Sequence, residues 1–152
     1  MRLTDLLDSE RVRVPLASVQ KDQLLRELVD LVMGPGQESR SDEVLRAVLE
    51  REQVLSTGIG GGVAIPHAKT DAVSTLRIAA GRTASGVDFD ALDGEPVRIC
   101  FLLVGPEAEA GAHVKALSRI ARVVRRESVR ERLTGATTVD EFLRVLDQAE
   151  AA

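Results

Sequence analysis

Two spacings of apolar residues alternate along this chain. From Gln20 to Met33, Leu24, Leu25, Leu28 and Val32 fall on one stripe at helical spacing, and Gly34-Pro35-Gly36 stops it. Arg11-Val12-Arg13-Val14 alternates instead, as a strand with one wet face does. Thr4 to Asp8 reads as a short first helix. Ser41 fits an N-cap for a helix from Asp42 to about Glu52, with acids in the first turn where the helix dipole favours them. Leu76 to Arg82 reads as a strand. Val97 to Val104 is the most apolar run and predicts a buried central strand. A helix from about Gly111 to Arg126 follows. Thr138-Val139-Asp140-Glu141 fits a capping box that opens a last helix with Val139, Phe142, Leu143 and Leu146 on one face. Helices interleave with strands, so the pattern predicts an α/β fold with helices on both sides of a mostly buried sheet.

Composition narrows the class. A chain of 152 residues, 44% hydrophobic and 29% charged, suits one soluble globular domain over residues 1–152 with a real core. A net charge of −4 argues against wholesale nucleic-acid binding, and three Phe with no Trp or Tyr offer little for stacking on bases or sugars. No apolar run is long enough for a membrane span, and the acidic start MRLTDLLDSE lacks the pattern of a signal peptide, so a cytoplasmic protein is expected. The single cysteine, Cys100, lies inside the apolar run and reads as core rather than nucleophile.

The candidate chemistry sits in GIGGGVAIPHAK, Gly58 to Lys69. Glycine is favourable only where the backbone must bend sharply or approach something closely. Here a short apolar segment then delivers Pro66 and His67. The expectation is an imidazole presented beside backbone amides of Gly61 and Gly62 clustered as an anion nest, with Ser56 and Thr57 adding hydroxyls and Arg51 and Lys69 adding positive charge. The plain alternative is an idle histidine in a surface turn. An imidazole titrating near neutral pH keeps a nucleophilic nitrogen free, which suits a covalent phosphoryl carrier.

His113 heads the core-facing stripe of its helix, continued by Ala116, Leu117, Ile120, Ala121 and Val124. It reads either as a buried histidine satisfied by a backbone partner or, in the first turn, as part of an anion site. The P-loop signature is absent, and two histidines with one cysteine make no zinc pattern. Asp88, Asp90 and Asp93 read as a solvated turn more readily than a cation site. Lys115, Arg119, Arg122 and Arg126 form a basic stripe, by default a solvated face and alternatively a docking surface.

STGIGGGVAIPHAK resembles the active-site segment of the mannitol/fructose-type (type 2) IIA domains of the bacterial phosphoenolpyruvate-dependent sugar phosphotransferase system, with the nitrogen-regulatory branch closest in pattern. The resemblance continues through DFDALDGEPVRICFLLVGPE and AHVKALSRIARVV. It implies a single-domain three-layer α/β sandwich, a mixed β-sheet flanked by helices on both faces. It implies His67 as the phosphorylated nucleophile, His113 as the second active-site histidine, and Arg51 as the charge partner. Ser56 and Thr57 match polar positions beside the site. The implied partners are an HPr-type phosphocarrier as donor and a IIB-domain cysteine, or a regulatory target, downstream. Phosphohistidine is the covalent intermediate, and no cofactor or metal is implied. Two departures are small: Gly60-Gly61-Gly62 where many relatives read GNG, and Pro66-His67-Ala68 where they read PHG.

Overall fold

The computed structural model describes residues 2–151. Its centre is a six-stranded mixed sheet. The strands are β1 (Val12–Leu16), β2 (Gly58–Gly60), β3 (Val63–Ala64), β4 (His67–Lys69), β5 (Arg77–Val87) and β6 (Val97–Gly105). They are ordered β1-β5-β6-β3-β2, and β4 continues beside β6 past the end of β3. β6 runs parallel to β3 and β4 and antiparallel to β5, while β1 lies parallel to β5. The most apolar run of the sequence is therefore the strand with neighbours on both sides, as expected.

Alternation along β6 divides the core in two. Ile99, Phe101 and Leu103 face one side, where they meet α1 (Leu3–Leu6), α4 (Ala110–Val124), α5 (Glu127–Thr134) and α6 (Val139–Ala151). Cys100, Leu102 and Val104 face the other, packed against α2 (Lys21–Met33) and α3 (Glu38–Val54). Each of these six side chains is at most 1% exposed. Burial of a large aliphatic side chain stabilises by about 1.5–3 kcal/mol, so β6 is the energetic spine of the three layers. Cys100 belongs to this core, and burial pushes its thiol far up from the ordinary range, consistent with an inert side chain.

Several boundaries differ from the sequence expectation. α3 begins at Glu38, so Ser41 is inside the helix and buried rather than capping it; its amide already donates to the Gln37 carbonyl at 2.8 Å. The helix expected to run to Arg126 stops at Val124. Arg126 is extended (φ −76°, ψ 121°), and a further helix, α5, begins at Glu127 with no glycine or proline marking the break. α6 is capped nearly as expected: the Thr138 hydroxyl accepts the Glu141 amide at 3.1 Å, while the Glu141 carboxylate reaches back to the Thr137 amide at 3.0 Å.

Candidate active site

His67 opens β4 at the sheet position beside Leu103 of β6. Pro66 precedes it and carries no N–H. The Pro66 carbonyl accepts the Leu103 amide at 3.0 Å, which pins the segment to β6 on one side. On the other side the Ile65 amide donates to the Thr57 carbonyl at 3.0 Å. Ala68, next along, is buried against the α2–α3 layer, where a side chain of its size fits. The imidazole is left half-buried at the end of a short strand whose backbone is held from both sides.

The ring itself is fixed by one hydrogen bond. Nδ1 lies 2.9 Å from the Ile65 carbonyl oxygen. A carbonyl only accepts, so Nδ1 carries the proton and donates it. In the neutral ring Nε2 then holds the free electron pair. His67 is kept below the ordinary histidine value first by burial, then by the positive charges of Arg51 and Lys69; the bond to Ile65 and the charge of Glu52 oppose this. At neutral pH the ring is therefore an uncharged base with its free electron pair on Nε2.

His113 comes from the first turn of α4 and meets His67 edge-on, with ring centroids 5.7 Å apart and planes at 71°. It is 2% exposed, and neither ring nitrogen has a hydrogen-bond partner among the described residues. The reading of a core histidine satisfied by the backbone thus fails: this buried imidazole faces the site with its hydrogen-bonding capacity unused. Burial above all, then the charges of His67 and Lys69, lower its pKa to about 4. Before any anion arrives it is neutral. Its place in the first turn of α4 sets it toward the positive end of the helix dipole.

Arg51, in the last turn of α3, donates through Nη1 to the Leu55 carbonyl at 2.9 Å and acts electrostatically on His67. The structure thus brings His67 and His113 together as two neutral imidazoles, with the positive charges of Arg51 and Lys69 acting on His67.

The glycines do something else. Val63 sits beside Ile99 of β6 and His67 beside Leu103, so the Gly60-Gly61-Gly62 turn lies roughly 13 Å or more from the imidazole along the strand direction. Gly61 and Gly62 therefore make no anion nest at His67. All three glycines take positive φ (98°, 65° and 80°) to turn β2 into β3. The Gly61 amide donates to Asp93 at 3.1 Å, and a Cβ on Gly61 would stand 3.0 Å from Arg130 Nε.

The two expected hydroxyls lie closer to His67 but are engaged. Ser56 Oγ donates to the Phe89 carbonyl at 3.0 Å and accepts the Gly58 amide at 3.1 Å. Thr57 Oγ1 donates to Glu52 at 2.6 Å. Asp88 and Asp93 accept nearby backbone amides, as turn residues do. Of the basic stripe, Arg119 lies 3.6 Å from Glu150, and Arg126 donates to the Ala149 carbonyl at the end of α6.

Glu52 was missed in the sequence. Its signal was there: Val44, Val48 and Glu52 share one face of α3, and a carboxylate ending a buried apolar stripe must have a dedicated partner.

The architecture is a mixed sheet between two helical layers, with a tautomer-fixed histidine at a strand end paired to a buried one. The family described as "Phosphoenolpyruvate-dependent sugar phosphotransferase system, EIIA 2" matches residues 5–149, and the chain belongs to it. It is 42% identical to the fructose-specific EIIA component of Haloferax volcanii, over 76% of this chain and 75% of that one. It is 35% identical to a nitrogen regulatory protein of Bradyrhizobium diazoefficiens, over 96% and 95% of the two chains. The fructose-specific EIIABC component of Bacillus subtilis is also 35% identical, but there the chain spans only 23% of the relative's length. Among solved structures, IIA-Ntr of Neisseria meningitidis superposes with a TM-score of 0.86 at 32% identity, covering 95% of this chain and 98% of that one. No helix among the described residues is long and apolar enough to cross a membrane.

Proposed function

We propose that this chain is a cytoplasmic phosphocarrier that takes a phosphoryl group onto Nε2 of His67 from the phosphohistidine of an HPr-type protein. The observation that carries this reading is the Nδ1–H···O=C bond to Ile65, which leaves Nε2 as the free nucleophile beside His113. As the Nε2 electron pair bonds to phosphorus, the donor's N–P bond breaks and its pair returns to the donor imidazole. The His67 ring gains positive character, which the Ile65 carbonyl offsets through the retained Nδ1–H. The positive charges that Arg51 and Lys69 exert at His67, with an N–H of His113, supply the stabilisation of the transferring oxygens; preorganised charge and donors of this kind are the main lever on phosphoryl transfer. The phosphohistidine is the only covalent intermediate required, and the group then passes to a IIB-domain cysteine.

The test is direct. The purified chain is incubated with phosphoenolpyruvate, the system's first enzyme and the phosphocarrier, then weighed intact. The expected result is an acid-labile gain of one phosphate, absent from His67→Ala. No gain with partners proven active would overturn the proposal.

A regulatory use of the same phosphorylation is favoured by the match to nitrogen regulatory proteins over nearly their whole length. The phosphoryl group would then change the charge and shape around His67 and so select partners. Comparing proteins captured by His67→Ala and His67→Asp separates this from transport, and equal sets count against switching.

A further inference from the structure

Glu52 is a carboxylate buried on the inner face of α3, 7% exposed, beside the sealed Val48. Both of its oxygens are occupied. Oε1 accepts the Thr57 hydroxyl at 2.6 Å; Oε2 accepts the Thr57 amide at 2.9 Å and the Lys21 ammonium at 3.0 Å. Lys21, the first residue of α2, lies with Nζ 4.6 Å from the centre of the Phe89 ring. Removing a charge pair from water costs several kcal/mol per ion before its partners repay it, and an apolar pair of similar size often packs as well. Stability alone gives little reason to keep this arrangement.

What Thr57 does next supplies one. Its carbonyl accepts the Ile65 amide at 3.0 Å, and the Ile65 carbonyl accepts Nδ1–H of His67 at 2.9 Å. Proline at the intervening position offers no amide of its own. The alignment of the Ile65 carbonyl is therefore set by Leu103 of β6 on one side and by Thr57 on the other. Thr57 in turn is clamped at both its amide and its hydroxyl by one carboxylate. Glu52 touches no reacting atom, because its oxygens are occupied by Thr57 and Lys21.

We propose that Glu52 is a positioning residue for the phosphoryl transfer: through Thr57 it aligns the Ile65 carbonyl and thereby fixes the His67 tautomer that leaves Nε2 free. This rests on the reading of His67 as the phosphorylated residue, but its first test does not need phosphorylation.

Ring ¹⁵N shifts of His67 are measured in the unphosphorylated protein at pH 8, with His113 as the internal reference. In the wild type Nδ1 is of the protonated kind and Nε2 of the free kind. Glu52→Gln sets an amide against the Lys21 ammonium, and Thr57→Val removes the hydroxyl donor at constant shape. Both should move the His67 shifts toward a mixture of tautomers and slow phosphoryl uptake by on the order of tenfold to a hundredfold, with KM for the phosphocarrier unchanged. Thr57→Ser, which keeps the hydroxyl, should retain the wild-type shifts and rate. Wild-type shifts in Thr57→Val overturn the proposal whatever happens to stability, and that variant decides the matter if Glu52→Gln does not fold. Failure of wild-type His67 to accept phosphate would instead overturn the carrier reading and leave the tautomer result standing.

Discussion

His67 and His113 meet at 5.7 Å between ring centres, one half-buried with Nδ1 anchored, the other sealed with both nitrogens unpartnered among the described residues. An unsatisfied buried polar group costs about 1–3 kcal/mol, and the fold carries that cost at His113 where an aliphatic residue would remove it. His113→Leu should therefore gain about 1 kcal/mol in urea unfolding. The same variant should lose on the order of a hundredfold in the rate of His67 phosphorylation, since one donor to the transferring group is gone. A variant that is destabilised yet fully active would mean the imidazole is ordinary core.

The lowered pKa of His113 gives the fold an acid sensitivity of known sign. The native ring has a pKa of about 4 against 6.5 for an unperturbed histidine, so between these values the unfolded chain binds more protons. The stability is whole above pH 6.5 and is lost as pH falls toward 4, by on the order of 3 kcal/mol in all. His67, shifted in the same direction by burial, adds to it. Urea midpoints at pH 7 and pH 5 should differ clearly in the wild type and less in His113→Leu.

Phosphorylation should reverse that shift. A phosphoryl dianion on Nε2 of His67 places negative charge against His113 and favours its protonated form. The His113 titration, followed by proton NMR in the phosphorylated protein, should move upward from about 4. A titration that stays put would show that the phosphoryl group points away from this ring.

Gly61→Ala distinguishes what the sequence suggested about the glycines from what the fold does with them. The position has φ of 65°, and a Cβ would press on Arg130. A loss of roughly 1 kcal/mol or more is expected, with the phosphorylation rate of the folded fraction unchanged. A lost rate at unchanged thermal midpoint would restore the anion-nest reading.

That contrast marks where sequence pattern carried information and where it did not. The apolar run of β6, the stripes of α2 and α4, and the pairing of His67 with His113 were legible because each follows from a fixed period or a specific motif. The break at Arg126 was not, because no glycine or proline signals it and tertiary contacts of α5 against the sheet decide it. The glycine segment misled for a different reason. Positive φ is demanded equally by an anion nest and by a tight hairpin, and only the register of β3 and β4 along β6 tells which end of the strand it occupies. The engagement of the Thr57 hydroxyl was hidden because its partner, Glu52, is defined by the helix face of α3 rather than by any local motif.

Arg51 offers the sharpest separation of structural from chemical roles. Its Nη1 bond to the Leu55 carbonyl satisfies one acceptor near the end of α3, a contribution of about 0.3–1 kcal/mol at a helix terminus. Its charge also lowers the pKa of His67. In Arg51→Gln the first effect should appear as a small loss of stability, and the second as a rise of the His67 pKa toward 6.5 by NMR titration. The consequence for phosphorylation has two parts. At pH 8 the ring is neutral in both proteins, so any slowing there, expected to be on the order of tenfold to a hundredfold, measures lost charge at the transferring group. At pH 6 a further slowing should follow, because more of His67 is protonated and its Nε2 pair is no longer free. Arg51→Lys keeps the charge without the planar fork and should restore the pKa more completely than the rate. An unchanged His67 pKa in Arg51→Gln would place the guanidinium outside the site and leave Lys69 as its main positive charge.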